Sequence, residues 1–163
     1  MSIRTGQGID FHRLENGLSL WLGGILIPSE KGCVAHSDGD VLLHAICDAL
    51  LGAAGLSDIG YHFPDTSPEF KNIDSKILLE KTFSFLKKDG FKIINIDSTV
   101  ILERPKILPY IPEMKSVISG ILETDPENIS IKATTTEKMG FIGTEEGISA
   151  IATVLITDSQ APW

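Results

Sequence analysis

The chain has 163 residues, with 14 Lys or Arg against 22 Asp or Glu and a formal net charge of −8. That length suits one domain with a real core, and an acidic chain without a Lys/Arg stripe is a poor general nucleic-acid binder. The first residues hold no apolar signal core, no apolar run nears membrane-spanning length, and Cys33 and Cys47 lack CxxC spacing, so a cytoplasmic protein with reduced thiols is expected.

Ile3, Thr5, Gln7, Ile9 and Phe11 alternate with Arg4, Gly6, Gly8, Asp10 and His12, which reads as a strand. Leu18 to Leu22, then Gly23-Gly24, then Ile25 to Pro28 reads as a hairpin. Asp38 is the expected N-cap of a helix from Gly39 to Ala54, stopped by Gly55. Residues 57–73, rich in Asp, Pro, Gly and Ser, form a long loop, and loops of that length often carry function. An amphipathic helix follows from Ser75 to Lys88, burying Leu78, Leu79, Thr82, Phe83 and Leu86 and closed by Gly90. Phe91 to Leu102 is strand-like, and Ile111, Met114, Val117, Ile118, Ile121 and Leu122 recur at helical spacing. Ile129–Thr135 and Ile148–Thr157 are the last two strands. The expectation is an α/β (α+β) fold, a mixed four-stranded sheet plus a hairpin with helices on one face, in a single domain over residues 1–157. Residues 158–163 read as a frayed tail.

The chemistry centres on Asp10, His12 and His44. Side chains two apart on a strand share a face, so Asp10 and His12 point the same way. His44 lies one turn into the first helix. Two imidazoles and a carboxylate make the three-ligand set of a catalytic zinc, whose fourth position stays open. Spacing alone leaves a second reading, in which His12 and His44 are ordinary surface or core histidines. Asp40 and Asp48 flank His44 by four residues and are the expected acceptors of its free N–H; a cap or a solvated helix face would explain them too. His36-Ser37 precedes the helix start, where N–H groups and the dipole favour an anion, although Ser37 and Asp38 also suit simple capping. Lys132 to Lys138 leaves a strand with Thr134, Thr135, Thr136 and Glu137 together. Those groups suit phosphate oxygens and a hard cation, and threonines are also ordinary strand formers. Arg104-Pro105-Lys106 follows a strand end and doubles as a solvated charge run. His62 is read as solvent-exposed. No P-loop, dinucleotide fingerprint or GxSxG elbow is present.

These motifs together resemble the 2-C-methyl-D-erythritol 2,4-cyclodiphosphate synthase family over residues 4–157. The likeness rests on Gly8-Ile9-Asp10-Phe11-His12, Ala35-His36-Ser37-Asp38-Gly39-Asp40, Asp48 to Ala53, Asp58-Ile59-Gly60, Phe63-Pro64-Asp65-Thr66, Arg104-Pro105-Lys106 and Lys132 to Lys138. The resemblance implies that Asp10, His12 and His44 hold zinc, that Glu137 reaches a second divalent cation (Mg²⁺ or Mn²⁺), and that His36 and Thr135 stabilise the reacting phosphates. It implies substrate contacts from Asp10, His12, His36, Ser37, Asp58, Ile59, Gly60, Phe63, Pro64, Asp65, Thr66 and Ser67 around the methylerythritol phosphate. Leu102, Glu103, Arg104, Pro105, Lys106, Ile107, Leu108, Thr134, Thr135, Thr136 and Glu137 would enclose the cytidine diphosphate, with Phe141 as a further contact. The implied reaction is attack of the 2-phosphate of 4-diphosphocytidyl-2-C-methyl-D-erythritol 2-phosphate on its β-phosphate, releasing CMP, a phosphorus–oxygen lyase step of non-mevalonate isoprenoid synthesis. The implied assembly is a homotrimer with active sites between subunits. One departure stands out: Thr144 occupies a position where members often carry an arginine linked with diphosphate binding on the trimer axis. A zinc-dependent phosphohydrolase and a non-catalytic cytidine-nucleotide-binding module are the alternatives.

Overall fold

The computed structural model describes residues 2–158. Seven strands and five α-helices follow one another as β1 (Ile3–Asn16), β2 (Leu20–Leu22), β3 (Ile25–Ile27), β4 (Lys31–Val34), α1 (Val41–Ala54), α2 (Ile59–His62), α3 (Ser75–Lys88), β5 (Lys92–Ile101), α4 (Ile111–Leu122), β6 (Ile129–Thr134), α5 (Gly140–Gly143) and β7 (Gly147–Thr157). One sheet has the order β4-β1-β7-β5-β6, and β2 and β3 pair separately. The sheet therefore has five strands, one more than the sequence pattern suggests. The addition is β4, four residues antiparallel to the far end of β1, where Leu14 pairs with Cys33. β1 runs on past His12 to Asn16 to receive it. β7 lies antiparallel between β1 and β5, and α4 carries the chain across to β6, which runs parallel to β5. Of the expected tail only Asp158 lies within the described residues, and it pairs with Ser2 through Ser2 N–H to Oδ1 at 2.6 Å.

Even-numbered residues of β7, from Ile148 to Ile156, are buried beneath α1. In β1 the matching face carries Gly6 and Gly8, and a Cβ on either would lie 2.0 Å from the carbonyl oxygen of Ala49 or Ala45. Only glycine lets the helix sit this close to the strand, and the close seat brings His44 level with Asp10 and His12. On the opposite face of the sheet β1 leaves Ile3, Ile9 and Phe11 about half exposed, at 50%, 47% and 56%.

Helix α1 starts two residues later than its sequence pattern suggests. The cap is Asp40, whose Oδ1 accepts from Leu43 N–H at 3.0 Å. Asp40 is fully buried and also accepts from the Gly23 and Gly24 N–H groups at 3.0 and 2.7 Å, pinning the β2–β3 turn to the helix. Burial pushes its carboxyl pKa upward, against the pull of those three backbone donors. Gly55 ends the helix in the left-handed region at φ +76°.

Candidate metal centre and substrate cleft

Strand β1 presents Asp10 and His12 on its helix-covered face, and α1 brings His44 down onto them. Asp10 Oδ2 lies 3.0 Å from His12 Nε2 and 3.1 Å from His44 Nδ1, and the two ring nitrogens are 3.2 Å apart. A four-coordinate zinc with bonds of about 2.0–2.1 Å spaces its ligands about 3.3–3.4 Å apart, so this triangle is the right size for one. Among the described residues it is the one group of three such side chains with ligand atoms clustered this way. Burial works against the charge on Asp10, but hydrogen bonds to His12 and His44 prevail and hold its carboxyl far below the usual carboxylate range. Burial likewise opposes charge on His44, and its hydrogen bond to Asp10 outweighs that, raising its pKa. Both cysteine thiols are raised to about 12, chiefly by burial, so neither offers a thiolate near neutral pH.

The acceptors expected for His44 are engaged elsewhere. Asp40 is the buried cap just described, and Asp48 Oδ1 accepts from Ile59 N–H at 2.7 Å, fixing the start of α2. A four-residue offset on a helix puts a side chain near its neighbour, but here each carboxylate meets backbone N–H groups first. His44 Nε2 instead faces Ser75 Oγ at 2.8 Å and Ser37 Oγ at 3.3 Å, and Ser75 Oγ in turn donates to Asp38. Sequence reading missed Ser75 and Asp38 as partners of the triad, since Asp74-Ser75 in sequence signals only a helix start.

The triad opens onto a cavity of about 380 Å³ whose walls include His36, Ser37, Ile59, Gly60, Phe63, Pro64 and Asp65, together with Phe70, Ile73 and Leu78, which the motifs did not flag. His36 Nε2 is 3.4 Å from Ser67 O in the 57–73 loop. Asp58 caps α2 by accepting from Tyr61 N–H at 2.8 Å, and neither it nor Thr66 and Ser67, of which Thr66 is exposed, is among the residues that line the cavity. His62 is half-buried rather than exposed: its Nε2 donates to Leu56 O at 2.6 Å and its ring packs against Phe85 at 5.0 Å.

The other predicted group gathers at the far edge of the sheet. Leu102, Pro105, Lys106, Ile107, Leu108, Thr134 and Thr135 line a second cavity of about 490 Å³. Glu103 Oε1 accepts from Thr136 N–H, Thr136 Oγ1 and Lys138 N–H at 2.9, 3.2 and 3.3 Å, so its carboxylate shapes the turn that follows β6. Within that turn Glu137 has φ +54°, and Thr135 Oγ1 donates to Glu137 Oε1 at 3.1 Å. Arg104 points to a neighbouring cavity, with Nε 3.6 Å from Glu145 Oε1. Phe141 packs at a tilt against Phe11 on the face of the sheet away from α1, centroids 6.2 Å apart, and Thr144 caps the end of α5. Asp10, Ala150, Val100 and Ala133 are register partners in one row across the sheet. Asp10 and the strand that delivers Thr135 are thus three strand spacings apart, roughly 14 Å.

Residues 3–157 match the model of the YgbB family. The chain belongs to the YgbB family. It is 60% identical over 156 residues to the 2-C-methyl-D-erythritol 2,4-cyclodiphosphate synthase of Bacteroides fragilis, covering 96% of this chain and 98% of that one. The synthase of Porphyromonas gingivalis is 53% identical over 153 residues, 94% of each chain. Among solved structures, the bifunctional IspDF from Campylobacter jejuni superposes with a TM-score of 0.91 at 44% identity, over 95% of this chain and 42% of that one. The Plasmodium falciparum IspF–CDP complex gives 0.84 at 36% identity, over 95% and 96%. This YgbB member shares the α+β architecture of those enzymes, and among its described residues no helix is long and apolar enough to cross a membrane.

Proposed function

We propose that this protein is a 2-C-methyl-D-erythritol 2,4-cyclodiphosphate synthase, acting in the cytoplasm on 4-diphosphocytidyl-2-C-methyl-D-erythritol 2-phosphate in isoprenoid precursor synthesis. The 2-phosphate attacks the β-phosphorus, the cyclic diphosphate closes, and CMP leaves, a phosphorus–oxygen lyase reaction. The observation that carries this is the Asp10–His12–His44 triangle opening onto a cleft that also collects His36, Ser37, Gly60 and Phe63–Asp65, in a chain 60% identical to such a synthase.

The nucleophile is already an ionised phosphate, so the protein has to position and neutralise rather than supply a strong base. Two unit anions about 4 Å apart repel by roughly 4 kcal/mol at an effective dielectric of about 20. Zinc at Asp10, His12 and His44, with Mg²⁺ or Mn²⁺ at Glu137, would offset that repulsion and polarise phosphorus. His36 and Thr135 donate hydrogen bonds to charge developing on the phosphate oxygens. Ser37, Asp58, Gly60 and the Phe63–Ser67 stretch hold the methylerythritol end. The Leu102–Leu108 loop and Thr134–Glu137 hold the cytidine diphosphate.

We further propose a homotrimer in which one subunit's metal cleft meets its neighbour's nucleotide cavity. Two observations support it: the roughly 14 Å between the two groups within one chain, and the apolar face of β1, with Ile3, Ile9 and Phe11 open for burial. The deciding experiment is incubation of purified protein with the diphosphocytidyl substrate, zinc and Mg²⁺, with phosphorus NMR of the products. CMP plus the cyclic diphosphate is the expected outcome. A linear phosphate product would favour a zinc phosphohydrolase, and cytidine-nucleotide binding without turnover a binding module.

A further inference from the structure

From the ligand triangle a chain of hydrogen bonds runs through His44 into the body of the protein. His44 Nε2 lies 2.8 Å from the hydroxyl of Ser75, the first residue of α3 and fully buried. The Ser75 hydroxyl is also in contact with Asp38 Oδ1, while Asp38 Oδ2 accepts from Ser75 N–H at 2.9 Å and Oδ1 from Asp40 N–H at 3.2 Å. Three donors converge on the Asp38 carboxylate, which therefore acts as acceptor throughout. Ser75 has a single hydroxyl proton. That proton goes to Asp38, leaving a lone pair toward His44, so the proton between Ser75 and His44 belongs to Nε2. Ser37 Oγ, at 3.3 Å from the same nitrogen, already accepts from Gly39 N–H and is the longer contact. With Nε2 protonated and tied back, Nδ1 is the nitrogen left facing Asp10 and His12.

We propose that Ser75, backed by Asp38, is a positioning residue: it holds the Nε2 proton of His44 and the ring's orientation so that Nδ1 is presented as the third metal ligand. This rests on the reading of Asp10, His12 and His44 as a metal site. A partner oxygen on the non-ligating nitrogen sets imidazole tautomer and direction, and losing one typically weakens metal binding by about 10- to 100-fold. The same clip ties α1 to α3, and the segment just before α1 is tied to the end of the 57–73 loop by Asp38 N–H to Ile73 O at 3.1 Å and Asn72 N–H to His36 O at 2.7 Å. The hydrogen bonds that hold the ligand thus also hold the wall of the cleft.

Ser75→Ala is the sharp variant, because it removes the hydroxyl and keeps the backbone bond to Asp38. Two readouts on the full-length, zinc-free protein need no turnover. The first is zinc affinity by chelator competition, with His44→Ala as reference. The second is the downfield imidazole N–H proton of His44, assigned by its absence in His44→Ala. Wild type should show that proton protected from exchange, and Ser75→Ala should lose it and bind zinc about 10- to 100-fold more weakly while keeping a native circular dichroism spectrum. Asp38→Asn should shift both readouts the same way, and it decides the matter if Ser75→Ala does not fold. A variant that melts earlier yet keeps wild-type zinc affinity and a protected Nε2 proton would overturn the proposal and leave Ser75 a purely structural clip. Unchanged zinc affinity in His44→Ala would instead contradict the metal reading, and the imidazole proton, seen without zinc, would still decide whether Ser75 holds the ring.

Discussion

The cleft at the ligand triad and the cavity proposed for the nucleotide are built in contrasting ways. In the cleft the metal-ligand side chains are withdrawn from solvent and tied to interior partners, while His36 at its edge is exposed: the His12 and His44 side chains are only 16% and 11% exposed, and His44 is anchored through buried Ser75. In the nucleotide cavity the scaffold is ordered but the functional groups are not enclosed. Glu103 fixes the turn after β6 with three hydrogen bonds, while Lys106, Thr134 and Glu137 lie on the surface. The contrast is the one a shared site would require: one chain gathers a three-ligand set for a metal, while the groups proposed to hold the nucleotide lie open on its surface.

Breaking the enclosed half should have the largest effect. His44→Ala should lose zinc and lower cyclase turnover by about 10³-fold or more, beyond the 10²–10³ typical of one electrostatic contact to a transition state, with the fold retained because α1 keeps its cap. Zinc content by atomic absorption, measured beside steady-state turnover, checks it, and full zinc with normal turnover would remove His44 from the site. A change in the open half should be milder and selective. Glu137→Gln should raise the Mg²⁺ concentration for half-maximal activity about tenfold while leaving zinc content unchanged, since a neutral amide is a poorer ligand for a hard cation. A Mg²⁺ titration at fixed zinc reads this directly. If the half-saturating value stays put, the carboxylate serves only the turn with Thr135. The smallest effect is one of protons. Asp10 raises the pKa of His44 in the metal-free protein above its ordinary value of 6.5, against the opposing effect of burial. Zinc must displace that proton, so affinity should be full at alkaline pH and decline as pH falls through the raised pKa, starting above pH 6.5, by up to about tenfold per unit below it. Calorimetric zinc titrations between pH 6 and 8 would show this, and a flat profile would mean that proton competition at His44 does not limit zinc binding.

The contrast also marks how far the sequence could be read. Asp10 and His12 were legible because a strand repeats every two residues, and His44 because it follows a recognisable helix start. Helices α1, α3 and α4 and strands β5–β7 carry enough periodic apolar residues to declare themselves. Strand β4 does not: Lys31-Gly32-Cys33-Val34 is too short to show alternation, and its pairing with the end of β1 is a tertiary choice. The helix cap fell to Asp40 rather than Asp38 because the Gly23–Gly24 turn, distant in sequence, offers Asp40 two further N–H groups. Ser75 meets His44 across 31 residues, through packing of α3 on α1 that no local pattern records. His62 looked exposed for the same reason, as its partner Phe85 comes from another helix. Short-range geometry was readable; the hydrogen bonds that lock the ligands in place are long-range.

If the two halves complete each other between copies, subunit mixing will reveal it. Asp10→Ala protein, lacking a metal ligand, and Lys106→Ala protein, lacking a nucleotide contact, should each be inactive alone. After the two are dissociated together and reassembled in equal amounts, about a quarter of the sites in a closed symmetric ring should join an intact cleft to an intact cavity. Activity near a quarter of wild type is the predicted result. Mixed trimers, demonstrated by native mass spectrometry, that stay inactive would contradict the shared site.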